Sequence, residues 1–228
     1  MSTRLGSRSL LSSALVRLLA GLGALGALFF ATAGTVHYWQ AWLWMATLFL
    51  SLAVLTLYLL RSAPDLLERR MRLRESAGRQ RAVIGLSALV FLVAFAIPGF
   101  DYRYHWSHAP VAVVLLADAV VLAGFVLYWL VLRENRYAAR TIAVDAGQKV
   151  ITTGPYSMVR HPMYLAMTLL LCASPLALGS YWGVLPMLAL PALLAVRIGH
   201  EEQLLQRELP GYREYMLGTR YRLFPGVW

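Results

Sequence analysis

Two short polar stretches in a mostly apolar chain carry residues that could do chemistry. The first, GPYSMVRHPMYL (154–165), places Arg160 and His161 directly before a proline and an apolar run. The second, RIGHEEQLL (197–205), follows the last apolar run. Its Arg197 and Glu201 are four residues apart, so on a helix they share one face and could clamp one ligand. Glu202 is turned about 100° away from that face.

The Arg-His-Pro step predicts the start of a helix. Proline suits the first helical position because its missing N–H has no partner there anyway. His161 then becomes the N-cap residue, and the N–H groups of Met163 and Tyr164 are expected to be free. A helix N-terminus with free N–H groups attracts anions. With Arg160 beside it, this step predicts an anion site that faces the cytosol.

The segment RENRYAARTIAVDAGQKVITTGPYSMVRHP (133–162) is predicted to be irregular and to close over something at the inner membrane surface. Each polar feature has a plainer interpretation by itself: an arginine marks topology, a histidine caps a helix, and a glutamate pair lies on a solvated face. Their joint placement at adjoining ends of one helical hairpin favours a binding site.

Composition indicates the framework that must position these residues. The 228 residues are 59% hydrophobic and only 14% charged, whereas soluble domains are about a quarter charged. A bilayer core requires about 20 apolar residues per helix, and predominantly apolar runs lie near 11–32, 39–60, 83–100, 111–132, 163–178 and 182–198. We therefore predict an all-α, polytopic membrane protein with five to six membrane segments, a C-terminal helical hairpin and a pocket that faces the cytosol.

The charges predict an orientation. If six segments alternate from a cytoplasmic N-terminus, 20 of the 21 Lys and Arg residues lie inside, and only Arg103 lies outside. Both termini and the active site are then cytoplasmic, and the arginine-rich composition suggests a bacterial inner membrane. Anionic lipid headgroups explain the basic run 69–81, so we expect no nucleic-acid partner.

Four other features have plain interpretations. GLGALG (21–26) matches a dinucleotide-binding pattern but lies in an apolar helix, where small residues favour close helix packing. Cys172 is the single cysteine, so cysteines form neither a disulfide nor a metal cluster.

Asp118, in mid-span, is expected to form a hydrogen bond with a neighbouring helix. Asp101, His105 and His108 are a weak metal pattern, for which a solvated interfacial loop is the plainer interpretation, so we predict no metal.

Three stretches carry a family resemblance: QKVITTGPYSMVRHPMYL, RIGHEEQLL and LPGYREYMLGTRYRLFPGVW. Together they resemble the isoprenylcysteine carboxyl methyltransferase family of integral-membrane methyltransferases, which use S-adenosylmethionine. Phospholipid N-methyltransferases and membrane thiol methyltransferases are similar over the same region. The resemblance divides the chain into N-terminal transmembrane helices (1–132) and a methyltransferase core (133–228) with a cofactor loop, a hairpin and an interfacial C-terminal segment.

The resemblance also implies roles for particular residues. Arg197 and Glu201 face the methyl acceptor and are the predicted catalytic residues. The predicted cofactor-binding residues are Gln148, Lys149, Val150, Ile151, Gly154, Tyr156, Arg160, His161, Pro162, Met163, Tyr164 and Glu202.

The sequence does not decide which chemical class of methyl acceptor is used. Arg197 could orient a carboxylate or favour a thiolate, and Glu201 could take the proton of an amine. A small lipophilic molecule or a lipid headgroup is expected, with membrane lipids as the other partners. The competing class is a membrane reductase of the sterol-reductase type, which binds NADPH.

Overall fold

The computed structural model describes the backbone of residues 7–71, 78–137 and 147–228, and all regular secondary structure in this part is helical. The α-helices are α1 (Ser7–Ala33), α2 (Trp39–Ser62), α3 (Pro64–Met71), α4 (Gly78–Tyr104), α5 (Val111–Glu134), α6 (Pro162–Ala177), α7 (Val184–Met187), α8 (Ala189–Glu208) and α9 (Tyr212–Gly218). A short 3₁₀ helix covers Gly154–Ser157. The all-α prediction is confirmed.

Four helical stretches of the described residues are long and apolar enough to cross a membrane: Ser9–Ala33, Trp39–Ser62, Val111–Glu134 and Val184–Glu208. The other two predicted segments also lie on helices, in α4 and α6. With 16 residues, α6 is only about 24 Å long at 1.5 Å per residue. It is therefore shorter than the hydrocarbon core, and the prediction of five to six membrane segments is confirmed only for four.

Close helix contacts hold the bundle together. α6 packs along α5 around Gly124, where a Cβ atom would lie 2.9 Å from Leu170 Cγ. α4 approaches α1 in the same way at Gly99, where a Cβ atom would lie 1.9 Å from Thr32 Oγ1. Neither position has room for a side chain. Small residues let transmembrane helices approach this closely, since lipid provides no hydrophobic drive to bring them together.

The GLGALG pattern lies within α1, where Gly21 faces Phe49 and Gly26 faces Met45 of α2. It has no strand before it, so the helix-packing interpretation agrees with the structure. Asp118 of α5 also behaves as predicted. Thr47 Oγ1 of α2 donates to Asp118 Oδ2 over 2.7 Å, which links two membrane helices.

The bundle end where α4 ends and α6 leads into α7 is closed by a polar group that we call the Asp101 cluster: Asp101, Ser107 and Ser180. Asp101 is 1% exposed. Its carboxylate accepts hydrogen bonds from the Ser107 N–H (2.7 Å), Ser107 Oγ (2.5 Å) and Ser180 Oγ (2.5 Å). The expected solvated loop is therefore wrong for Asp101. Within the described residues, no group of three or more His, Cys, Asp or Glu side chains could hold a metal ion.

The opposite end carries a helix that the sequence did not predict. α3 folds back after α2 and buries Leu66 and Leu67 against Leu132 of α5. Its Arg70 guanidinium lies 5.3 Å from the ring centroid of Tyr128. Of the basic run 69–81, residues 72–77 lie outside the described part of the chain.

Candidate functional site

A pocket opens at the end of the bundle where α5 ends, α6 begins and α8 ends. It encloses about 880 Å³, including its open mouth. All the predicted site residues except Gly154 and Glu202 line it: Gln148, Lys149, Val150, Ile151, Tyr156, Arg160, His161, Pro162, Met163, Tyr164, Arg197 and Glu201. The structure thus brings the two polar stretches of the sequence into one cavity.

Gly154 lies outside the lining but shapes it. Its φ of +58° is in the left-handed region, which glycine adopts without strain. A Cβ atom there would also come within 3.3 Å of the Glu134 carboxylate. The turn brings Tyr156 to the pocket wall, where its hydroxyl accepts a hydrogen bond from Asn135 Nδ2 at 2.8 Å. Burial raises the pKa of Tyr156 to about 12, so the phenol stays neutral.

Glu202 lies behind the pocket wall and holds it together. Its buried carboxylate lies 2.8 Å from Arg160 Nε and 3.2 Å from His161 Nε2. Arg222 Nε of the C-terminal segment donates to its other oxygen over 2.9 Å. We call Glu202, Arg160, His161 and Arg222 the Glu202 latch. It joins α8, the start of α6 and the C-terminal segment.

The latch corrects the predicted anion site. His161 is the N-cap residue and Pro162 begins the helix, as predicted. However, the Tyr164 N–H is not free, because it donates to the His161 carbonyl over 3.0 Å. Arg160 and His161 face a carboxylate that the protein itself supplies. The Arg160 charge is therefore compensated inside the fold, and an incoming anion would meet the Glu202 carboxylate at this site.

The C-terminal segment completes the start of α6. The backbone N–H groups of Arg160 and His161 donate to the carbonyls of Tyr221 and Arg222, each over 2.9 Å. The Arg160 guanidinium also donates to the Thr219 carbonyl at 3.3 Å. These bonds tie the C-terminal segment to the two residues that precede α6.

The two predicted catalytic side chains meet at one phenol. Tyr164 Oη donates to Glu201 Oε2 over 2.5 Å, and Arg197 Nε donates to Tyr164 Oη over 2.9 Å. We call Arg197, Tyr164 and Glu201 the phenol bridge. The Glu201 side chain is 25% exposed, and its other oxygen lies 3.9 Å from His161 Nδ1. Tyr164, predicted to bind the cofactor, therefore directs its hydroxyl to the predicted acceptor pair.

Several lining residues were not predicted: Asn135, Tyr137, Leu204, Leu205, Leu209, Tyr212 and Tyr215. Tyr212 and Tyr215 are three residues apart on α9, and this spacing in LPGYREYM was the signal that could have identified them. Tyr215 Oη donates to the Tyr156 carbonyl over 2.7 Å. The Tyr212 hydroxyl is buried and has no hydrogen-bond partner among the described residues.

Fold and pocket together define a helical membrane protein with a polar cavity at one end of its bundle. The sequence model of the isoprenylcysteine carboxyl methyltransferase (ICMT) family matches residues 113–207, from α5 to the end of α8. Over this stretch, which is less than half of the chain, the sequence is similar to that family of membrane methyltransferases, and the predicted resemblance is confirmed there. No curated protein matches the chain. The match includes the phenol bridge and Glu202, but not α1–α4, α9 or Arg222.

Proposed function

We propose that the chain transfers a methyl group from S-adenosylmethionine to a small lipophilic acceptor or a lipid headgroup at the membrane surface. One observation carries this proposal. The segment predicted to hold the cofactor (148–164) and the pair predicted to face the acceptor line the same cavity. Two substrates that exchange a group must share one site, because transfer requires the reacting atoms to be close and aligned.

The pocket fits such a cofactor in its chemistry. Ligand pockets combine apolar walls with a few polar groups. Here Leu204, Leu205 and Leu209 supply an apolar wall, and Gln148 and Asn135 supply polar side chains. A purine and a ribose have matching apolar faces and polar edges. The buried Tyr212 hydroxyl, unpaired within the described chain, offers a further donor to a ligand.

The cofactor-binding residues in this proposal are Tyr156, the segment 148–151 and the start of α6 from His161 to Met163. S-adenosylmethionine carries its methyl group on a positively charged sulfur. When it is bound, a nucleophile would attack that methyl group and displace the sulfur. The chain's own part is positioning. The Glu202 latch fixes the start of α6, and the apolar wall excludes water from the reacting atoms.

The phenol bridge suits an acceptor near the membrane surface. Arg197 can orient a carboxylate with its guanidinium or favour a thiolate over a thiol. Glu201, a quarter exposed, can take the proton that an amine must lose before it attacks. Thus a lipophilic carboxylic acid, a phospholipid amine and a thiol are the acceptor classes to compare.

The pocket end is proposed to face the cytosol. Basic residues cluster at this end, where Arg17 and Arg69 bind the carbonyls of Met71 and Arg136. Arg103 lies at the opposite end, near Gly34. In sealed cells, an impermeant thiol reagent should label a cysteine at position 106 but not one at position 69 or 213, all three of which are exposed positions. Labelling at 213 and not at 106 would reverse the orientation.

Calorimetry on the purified protein tests the cofactor. We expect S-adenosylmethionine and its demethylated product to bind, and NADPH not to bind. Labelled S-adenosylmethionine is then offered with an S-prenylated N-acetylcysteine, phosphatidylethanolamine or a long-chain alkanethiol in nanodiscs. Binding of NADPH alone would replace the methyltransferase by the reductase class.

A further inference from the structure

We propose that Tyr164 is a positioning residue for methyl transfer, whose hydroxyl sets the orientation of Arg197 and Glu201 toward the acceptor. This inference rests on the proposed function and assigns Tyr164 a role other than cofactor binding. The three side chains come from two helices, α6 and α8. Their atoms are joined by hydrogen bonds of 2.5 and 2.9 Å.

The direction of the two hydrogen bonds follows from the groups themselves. Arg197 Nε can only donate, so Tyr164 Oη must accept from it. The phenol has one proton of its own, and it donates that proton to Glu201. The bridge therefore runs from Arg197 through Tyr164 to Glu201.

Such a bridge removes torsional freedom from two long side chains. Long side chains such as Arg and Glu lose rotamer entropy when they are fixed, and here the fixing occurs before any acceptor arrives. The Arg197 guanidinium also lies 5.9 Å from the Tyr164 ring centroid, which adds a cation–π contact. Pre-ordering of this kind favours a reaction that depends on alignment.

The phenol itself is firmly held. The Tyr164 residue is 8% exposed, and its ring packs 5.7 Å from the His161 ring, centroid to centroid. Thr168 Oγ1, one turn further along α6, donates to the Tyr164 carbonyl over 2.8 Å. Tyr164 thus lies between the Glu202 latch and the acceptor pair, and it transmits the position of the start of α6 to α8.

Tyr164→Phe is the direct test, because it keeps the ring and removes only the hydroxyl. We expect kcat to fall about a hundredfold, as when reacting groups lose alignment, while the Kd for S-adenosylmethionine stays within about threefold. Ser174→Ala is the matched control. It removes a buried hydroxyl from the same helix, outside the pocket lining, and should leave both values within about threefold.

A second variant separates misfolding from loss of the bridge. 4-Aminophenylalanine at position 164 keeps the ring and a donor at the same place, so turnover should recover to within about tenfold of wild type. A folded aminophenylalanine protein as inactive as Arg197→Ala would overturn the proposal. So would a Tyr164→Phe protein with normal kcat, or one whose cofactor affinity falls as far as its kcat.

A readout that needs no turnover completes the test. In the ligand-free protein, Tyr164→Phe and Glu201→Gln should lower the melting temperature non-additively, because both remove the same hydrogen bond. Additive shifts would overturn the bridge even if activity fell. If wild type bound S-adenosylmethionine but methylated none of the three acceptor classes, the proposed function would fail while this coupling could still be measured.

Discussion

The Asp101 cluster and the pocket lining, at opposite ends of the bundle, differ in how far their buried polar groups are paired. In the Asp101 cluster, the carboxylate accepts three hydrogen bonds from two serines, and the group closes on itself. At the pocket end, the Tyr212 hydroxyl is buried without a partner among the described residues. Glu201 keeps a quarter of its side chain exposed. Buried polar groups normally find partners, so the second arrangement is the exception.

The difference separates a structural network from a binding network. A satisfied network stabilises the fold and has nothing left to offer a ligand. A network with unused donors stabilises the empty protein less, and it gains its remaining hydrogen bonds when a ligand arrives. The Glu202 latch lies between these cases, because it is buried and paired like the Asp101 cluster but forms the wall of the pocket. Each prediction below changes one of these networks.

The largest effect is expected at the latch. Glu202→Ala leaves the buried Arg160 guanidinium without its 2.8 Å partner. Removing one member of a buried ion pair typically costs about 3–5 kcal/mol. Unfolding in mixed detergent and dodecyl sulfate micelles should show that loss. Glu214→Ala, at an exposed carboxylate of α9, should change the free energy of unfolding by less than about 0.5 kcal/mol. Equal effects of the two variants would contradict the latch.

The next effect concerns turnover. Arg197→Ala and Glu201→Ala should each lower kcat at least about a hundredfold, roughly 2.7 kcal/mol, with cofactor affinity changed only a few-fold. Glu208→Ala, an exposed carboxylate at the end of α8 outside the pocket lining, is the control. Near-normal turnover in both variants would mean that the pair only braces the helix, a contribution of about 0.2–0.5 kcal/mol.

The Asp101 cluster should respond in stability alone. Asp101→Ala leaves the Ser107 and Ser180 hydroxyls without their acceptor, which should cost about 1–3 kcal/mol. Cofactor affinity by calorimetry should not change, because the cluster lies at the far end of the bundle. His108→Ala, at an exposed neighbour, should alter neither quantity. A loss of affinity in Asp101→Ala would show that the two ends are coupled.

The sequence predicted what short-range patterns determine. Apolar runs placed all six segments on helices, and the i,i+4 spacing put Arg197 and Glu201 on one face. These two features depend on periodicity, which is encoded within a few residues. The cofactor-binding residues in 148–164 came instead from the family resemblance, and all of them except Gly154 line the pocket.

The sequence did not predict contacts between residues that are far apart along the chain. His161 and Glu202 are 41 residues apart, and only the packing of α6 against α8 brings them together. The helical period showed that Glu202 faces away from Arg197, but not what it faces. The docking of Tyr221 and Arg222 on the start of α6 has no sequence pattern of its own. For this reason an open anion site was predicted at the start of α6, where the structure places the Glu202 carboxylate.

The smallest effect is expected at the one pocket hydroxyl that lacks a partner in the described chain. Tyr212→Phe should weaken S-adenosylmethionine binding by about two- to tenfold, the worth of one neutral hydrogen bond. The ligand-free protein should be as stable as wild type or more so, because a buried hydroxyl without a partner is destabilising. Burial raises the pKa of Tyr212 above its ordinary value, so the phenol keeps its proton and the difference in affinity should be constant from about pH 6 to 9.

Tyr215→Phe makes the opposite case. That hydroxyl already donates to the Tyr156 carbonyl over 2.7 Å, so its loss should lower stability by about 0.5–1.5 kcal/mol. If Tyr212→Phe instead destabilised the empty protein and left affinity unchanged, its hydroxyl would belong to the fold, and the contrast between the two ends of the bundle would rest on Glu201 alone.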